Sequence, residues 1–303
     1  MSLDLKSLEL FIRVAACGAI GKAGAAFGLS PTAATQRIQA LEKSVGAQLL
    51  HRSTRSVSLS SDGEVFLAHA KRILAGVEDA LADVQNEPQA VRGTLRIAGS
   101  ASFGRKHIAP YMAEFLDRHP AVKLELHLTD AVVDIVEDGF DLAIRLGSLA
   151  PSSLKAKRIG SSPRVVVAAP AYIERFGRPE HPDDLQTHNC LARGGLRSWS
   201  LRAVDGRQIE ASIAGNFSCN FSEAITEAVL SGLGIATKCK WEIDAHLNAG
   251  RLTTLLDDYT VMPEWDVFAV RSPSRIQPTR TRAFVAFLEE TYKSVPALQK
   301  SDG

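Results

Sequence analysis

The chain has 303 residues, 45% hydrophobic and 6% aromatic, with 35 Lys plus Arg against 34 Asp plus Glu for a formal charge of +1. At about 100 to 200 residues per domain, this length holds two domains with room for a small third. The hydrophobic content excludes whole-chain disorder, collagen and a coiled-coil rod.

Neutrality would also argue against a nucleic-acid binder if the charge were evenly spread, and it is not. Residues 1–60 carry seven basic side chains (Lys6, Arg13, Lys22, Arg37, Lys43, Arg52, Arg55) and three acidic ones (Asp4, Glu9, Glu42), a charge of +4. Residues 61–90 carry Lys71 and Arg72 against six carboxylates, a charge of −4, and the remainder is balanced at 26 basic and 25 acidic. The total is a cancellation, so it does not speak against nucleic acid. No basic segment leads into an apolar run at the N-terminus, and no stretch approaches the roughly 18 apolar residues of a membrane span, so a cytoplasmic protein is expected. Cys17, Cys190, Cys219 and Cys239 lie far apart, without C-x-x-C or zinc-ligand spacing to a His. They read as reduced thiols, mostly in the core, with a redox pair as the alternative.

Leu5, Leu8, Phe11, Ile12 and Ala15 recur at helical spacing and predict a helix over 4–16, stopped by Gly18. A short Ala-rich helix over 21–27 is followed by Gly28-Leu29-Ser30-Pro31. There Gly28 suits the position just past a helix, Ser30 an N-cap and Pro31 the first helical turn. A third helix over 31–45, ended by Gly46, buries Ala34, Ile38, Leu41 and Val45 and presents Thr32, Thr35, Gln36, Gln39 and Lys43. Two short helices about a tight turn, the second with a polar face, form a helix-turn-helix. Thr32, Thr35 and Gln36 are of the hydroxyl and amide kind that meets base edges in the major groove. The string LLHRSTRSVSLSSDG then reads as two strands around a turn, with Arg52 and Arg55 near its tip. Such a wing places guanidinium groups on phosphates, the plainer alternative being solvated charge.

Ser61 and Glu64, at capping-box spacing, open a long helix uninterrupted by proline until Pro88. Within it Phe66, Ala70, Ile73, Val77, Ala80 and Val84 follow the 4-3 spacing of a two-helix seam, packing on the helix's own domain being the alternative. Pro88 marks a domain boundary. From Gly93, apolar runs at 95–98, 122–128 and 142–145 alternate with helical stretches at 110–118 and 132–138, the βαβ rhythm of an α/β domain. A second set covers 165–168, 216–219, 224–231, 235–237 and 265–270, and a last helix runs over 279–293.

Ligands of open α/β sheets bind beyond the carboxyl ends of the strands. That rule selects Ser100 and Ser102, with Phe103 beside them, in a loop leading into a helix whose amides suit a carboxylate. It also selects Thr129 and Arg145, the latter suited to an anion or else paired with Asp130 or Asp141. Asn216 and Phe217 would face them from the second half. Enzymatic motifs fail: Lys22 lacks the glycines and hydroxyl of a P-loop, Gly232-x-Gly234 lacks a third glycine, and Ser100 stands where a nucleophile elbow around Ser102 needs Gly.

Residues 18–42, GAIGKAGAAFGLSPTAATQRIQALE, with LLHRSTRSVSLSSDG after them, resemble the winged helix-turn-helix of LysR-type transcriptional regulators, and the resemblance extends over the whole chain. The family's recurring positions correspond here to Ser30, Thr35, Gln36, Leu41-Glu42, and Arg52 with Arg55. The chain departs from it with Ala19, Ile20 and Gly21 in place of Ser-Phe-Thr, and with Gly24 in place of Ala. The resemblance implies an α plus α/β fold: a winged helix-turn-helix over 1–60, a dimerisation linker helix over 61–88, and a two-lobed, periplasmic-binding-protein-like effector domain over 91–303. Lobe I would comprise 91–163 and 268–303, and lobe II 164–267. It further implies a homodimer or homotetramer that binds double-stranded operator DNA, its two recognition helices about 34 Å or a multiple of that apart. Lys22, Pro31, Ala33, Arg37 and Gln39 complete the implied DNA-contact set. RNA polymerase and a small-molecule effector, in one form a carboxylate, are the other implied partners, with no catalysis, cofactor or metal. The string FDLAIRLGSLAPSSLKAKRIG resembles a large metabolite-responsive subgroup and does not name the ligand. The alternative is a two-lobed solute-binding or metabolite-modifying protein whose N-terminal segment only dimerises.

Overall fold

The computed structural model describes residues 4–52, 57–84, 91–131, 133–149, 152–273 and 277–299; Arg55 and the side chains of Ala80 and Val84 lie outside the described residues. Helix α1 (Leu5–Cys17) starts on Asp4, whose carboxylate accepts from the Lys6 amide and the Ser7 hydroxyl, and stops at Gly18 in the left-handed region. Its buried face is Leu8, Leu10, Phe11 and Val14, while Leu5 is exposed, so the apolar stripe is rotated from the predicted one. Helix α2 (Ile20–Ala25) is shorter than predicted, because the Leu29 amide returns to the Gly24 carbonyl and closes the turn. Helix α3 (Pro31–Val45) is capped by the Ser30 hydroxyl, which accepts from the Ala33 amide at 3.2 Å. The departure at Gly24 has a steric reason: a Cβ there would lie 2.5 Å from the Ala34 Cβ, so α2 and α3 approach more closely than an Ala–Ala pair allows.

Strands β1 (Leu50–Arg52) and β2 (Val57–Leu59) pair antiparallel, Leu50 opposite Leu59. Helix α4 (Ser61–Val84) takes its cap one residue earlier than the sequence spacing suggests. The buried Ser60 hydroxyl accepts from the Gly63 amide at 3.0 Å and donates to the Gln48 carbonyl at 2.5 Å. Three short helices cannot enclose a core by themselves, and α4 completes it. Ala70 is fully buried there, Phe66, Leu67 and Leu74 pack on the same cluster, and the Phe11 and Phe66 rings stand 5.6 Å apart. Phe66 and Ala70 are therefore occupied within their own chain, which corrects the reading of all six seam positions as intermolecular; Ile73 stays 39% exposed.

The first α/β lobe is a five-stranded sheet in the order β4-β3-β5-β15-β6. It comprises β3 (Gly93–Gly99), β4 (Val122–Leu128), β5 (Leu142–Gly147), β6 (Lys155–Ser161) and the returning β15 (Asp266–Arg271). β3 runs parallel to β4 and β5, and β15 is antiparallel to β5 and β6. Helices α5 (Ala101–His107), α6 (Met112–Arg118) and α10 (Thr279–Tyr292) contribute to its core, where Phe115 meets Phe284 edge-on at 5.0 Å. The helix predicted over 132–138 is a turn at its described residues. Asp134 accepts from the Val136 and Glu137 amides, and Asp138 accepts from the Asp134 amide, so side chains satisfy the donors that a helix would use.

The second lobe holds β7 (Arg164–Ala168), α7 (Pro170–Phe176), β8 (Ala192–Arg193), β9 (Ser198–Ala203), β10 (Gln208–Ser212), β11 (Ser218–Cys219), α8 (Ser222–Leu230), β12 (Ala236–Cys239), α9 (Lys240–Asn248), β13 (Thr253–Leu255) and β14 (Tyr259–Met262). β7 lies between β12 and β13, and β9 between β10 and β14. The chain returns with Asp266 already in the first sheet, two residues before the division placed at 267/268. The two crossovers run side by side, the Ser162 amide donating to the Trp265 carbonyl at 2.8 Å.

Candidate DNA-reading surface and effector cleft

On α3 the buried positions Ala34, Ile38 and Leu41 fix which face is free. Pro31, Thr32, Gln36 and Gln39 are exposed, as are Lys22 and the capping Ser30, while Ala33, Thr35 and Arg37 are half-buried. Thr35 spends its only hydroxyl proton on the Pro31 carbonyl at 2.8 Å, so toward DNA it accepts and does not donate. Arg37 lies near the α1 cap: the Ser7 hydroxyl first, then the Lys6 amide and Arg37, hold the Asp4 carboxyl below its ordinary value.

Sequence reasoning noted Glu42 only as part of a recurring pair, and its role is structural. One carboxylate oxygen accepts from the Leu49 and Leu50 amides at 3.0 and 3.1 Å, and the other pairs with Arg52 at 2.7 Å. The end of α3 is thereby tied to the first wing strand. Arg52 is thus a tether as well as a surface cation, its side chain 28% exposed.

Between the lobes lies a cleft of about 370 Å³. Ser100, Ser102, Thr129 and Arg145 all line it, as their positions at strand ends predict. Ser102 is buried, and its hydroxyl has no hydrogen-bond partner among the described residues. Arg145 donates to the Val133 carbonyl at 2.8 Å and has no carboxylate partner among the described residues. Both suggested partners are engaged elsewhere: Asp141 with Arg280 at 3.3 Å, and Asp130 with the Ser100 hydroxyl and Ala101 amide at 3.0 and 3.2 Å. Asp130 therefore occupies the amide that the sequence reading left open for a carboxylate ligand.

Phe103, Asn216 and Phe217 are not in the cleft lining. Phe103 is fully buried in lobe I, edge-on to Trp241 at 5.1 Å. Asn216 and Asn189 bond reciprocally, at 3.0 and 2.9 Å, and Phe217 packs in the second lobe's core. Lobe II instead contributes Arg193, Ser222 and Glu242, with Trp241 and Trp265 as apolar wall. Behind that wall Lys238, buried, donates to Glu242 at 2.6 Å and to the Ser222 hydroxyl at 2.6 Å. Thr226 and Ser222 satisfy the same carboxylate. The only sequence signal was the i,i+4 spacing of Lys238 and Glu242. Across the cleft Arg105 pairs with Glu223, and Lys106 donates to the Glu242 carbonyl at 3.0 Å. Arg193 stands 3.8 Å from Asp130.

Burial controls the titrating groups nearby. It pushes the thiols of Cys190 and Cys239 up to about 12 and about 11, leaving both protonated and unreactive near neutrality. Cys17 and Cys219 are half-buried free thiols. His107, buried against Phe103 and Trp241, is pushed down to about 4 by desolvation and stays neutral.

A helix-turn-helix joined through a long helix to a two-lobed sheet domain with a polar cleft defines a ligand-responsive DNA-binding regulator. Family models agree: residues 5–64 match the bacterial regulatory helix-turn-helix protein of the lysR family, and residues 88–293 match the LysR substrate binding domain. An HTH-type transcriptional regulator of Xanthomonas campestris pv. campestris is 35% identical over 95% of this chain and 85% of its own length. The HTH-type transcriptional regulator DmlR of Escherichia coli K12 is 32% identical over 95% and 94%. The full-length structure of the Vibrio cholerae virulence activator AphB superposes with a TM-score of 0.58 at 26% identity, covering 94% of this chain and 98% of that one. The chain belongs to the LysR family of transcriptional regulators, whose members bind DNA and small effectors and form oligomers. Among the described residues no helix is long and apolar enough to cross a membrane.

Proposed function

We propose that residues 1–60 read operator DNA, with Thr32, Gln36 and Gln39 of α3 at base edges and Thr35 as an acceptor beside them. Lys22, Ser30, Arg37, Arg52 and Arg55 hold the phosphate backbone and set the register, and Pro31 and Ala33 make apolar contact with the DNA. Residues 61–88 dimerise through Ile73, Val77, Ala80 and Val84, the seam positions left after Phe66 and Ala70 join the intrachain core. The protein acts in the cytoplasm, where its DNA-bound oligomer meets RNA polymerase, and it performs no catalysis.

Residues 91–303 bind a small organic carboxylate in the interlobe cleft. The supporting observation is a pair of lining residues with unspent groups among the described residues: Arg145 without a carboxylate and Ser102, whose buried hydroxyl lacks a partner. A ligand carboxylate on Arg145 supplies a charge-assisted bond, and an oxygen within reach of Ser102 satisfies its hydroxyl. Differential binding to two arrangements of the lobes is what lets such a ligand alter DNA binding. A thermal-shift screen of small carboxylic acids on the full chain tests this. Carboxylates that raise the melting temperature of the wild type should lose that effect in Arg145→Ala; a hit series of neutral compounds or amines, or one unaffected by the substitution, would overturn the reading.

A further inference from the structure

A second cavity, of about 340 Å³, lies where helix α4 rests on the first lobe, away from the interlobe cleft. Its charged lining is Lys71 and Arg72 from α4 together with Arg96, Glu125, Asp141 and Arg280 from the lobe. Among the described residues four cations thus face two carboxylates, and both carboxylates are already shared. Glu125 accepts from Arg96 at 3.0 Å and from Lys123 at 3.0 Å, while Asp141 accepts from the Arg96 amide at 2.9 Å and from Arg280 at 3.3 Å. Arg72 is fixed by donating to the Val136 carbonyl at 2.5 Å, which carries no full charge. Lys71 has neither an ion pair nor a hydrogen bond among the described residues, and Glu125 attracts it only at longer range. Desolvation first, and then the neighbouring Arg96 cation, hold its ammonium below the ordinary range. The side facing the DNA-binding half is apolar, closed by Ile12 and Leu74.

We propose that this junction is a second ligand site, selective for a small molecule bearing a phosphoryl group. The chemistry follows from the charges. The described lining residues carry an excess of two positive charges, and a phosphoryl group carries about −1.5 to −2 near neutral pH. Its oxygens accept from the planar guanidinium of Arg96 while Lys71 contributes a point charge. The volume lies within the roughly 300 to 1,000 Å³ usual for metabolite pockets. Because α4 supplies one wall and the lobe the other, an occupant contacts both the DNA-binding half and the effector half of the molecule. The site shares no residue with the interlobe cleft, so it stands or falls separately from the carboxylate reading.

The test is isothermal titration calorimetry of the full chain with inorganic phosphate at constant ionic strength, with succinate in a parallel titration. Saturable binding of one phosphate per chain is expected, weakened about tenfold or more by Arg96→Ala, as for the loss of a charge-assisted hydrogen bond. Lys71→Gln, on an exposed helix face and without a partner to orphan, should weaken it comparably while leaving the fold intact. Arg145→Ala, in the other cleft, should leave it unchanged. The proposal is overturned if phosphate binding is not saturable, if it survives Lys71→Gln, or if Arg145→Ala abolishes it. Succinate binding tighter than phosphate binding, and lost in Lys71→Gln while kept in Arg145→Ala, would refute the assigned ligand class.

Discussion

Replacing Glu42 with alanine removes three bonds at once, and their size can be worked from the structure. The carboxylate accepts from the amides of Leu49 and Leu50, both fully buried residues, and pairs with Arg52. A hydrogen bond to a charged group contributes about 1.5 to 3 kcal/mol, and buried donors left unpaired carry the larger penalty. The partly exposed ion pair adds no more than about 1 kcal/mol. Water reaches the vacated site in part, so a loss of about 3 to 4 kcal/mol is expected for Glu42→Ala. Glu42→Gln keeps an acceptor for the two amides and loses the charge, for about 1 to 2 kcal/mol. Hydrogen-exchange mass spectrometry of the full chain reads this locally: peptides spanning residues 46–60 should lose protection in that graded order, while peptides from β3 and β15 do not change. Equal protection in wild type and Glu42→Ala would refute the tether between recognition helix and wing.

Two other perturbations have signs that burial fixes. Ser102→Ala removes a buried hydroxyl that has no partner, so the ligand-free protein should gain about 1 kcal/mol in urea unfolding while its response to the effector weakens; destabilisation would mean that the hydroxyl is satisfied in the fold. His107 supplies a pH dependence. Unfolded, its imidazole binds a proton near 6.5; folded, it resists protonation down to about 4. The unfolded state therefore binds more protons between those values, so this contribution is whole above about pH 6.5 and is lost as pH falls toward 4, by about 3 kcal/mol in all. His107→Phe should flatten the change in stability between pH 7 and about pH 4.5, and an unaltered slope would place the acid sensitivity elsewhere.

The helix-turn-helix was legible because its signals are local. Gly28, Ser30, Pro31 and Gly46 each act within a turn of the residue they cap, and the free face of α3 follows from Ala34, Ile38 and Leu41. Strand ends likewise located Ser100, Ser102, Thr129 and Arg145, since β3, β4 and β5 point their carboxyl ends into one space. What was missed depends on partners distant in sequence. A 4-3 apolar spacing states that one face of α4 is covered without stating by what, and Phe11 covers part of it. The second lobe's share of the cleft is set by how α8 and α9 meet across β12, which brings Ser222, Lys238 and Glu242 together; Asn216 is held by Asn189 instead. Over 132–138 the apolar residues suggested a helix, but Asp134 and Asp138 compete for the same amides and win.

The proposed reading of sequence by the exposed polar face of α3 is tested most directly at Gln36. Binding of the full chain to duplex DNA from upstream of its own gene, followed by fluorescence anisotropy against a random duplex of equal length, should show tighter binding of the upstream duplex. Gln36→Ala should weaken that preference by about 1 to 3 kcal/mol while leaving the affinity for random DNA in place. Equal affinity of the wild type for both duplexes, or equal weakening on both in the variant, would contradict it.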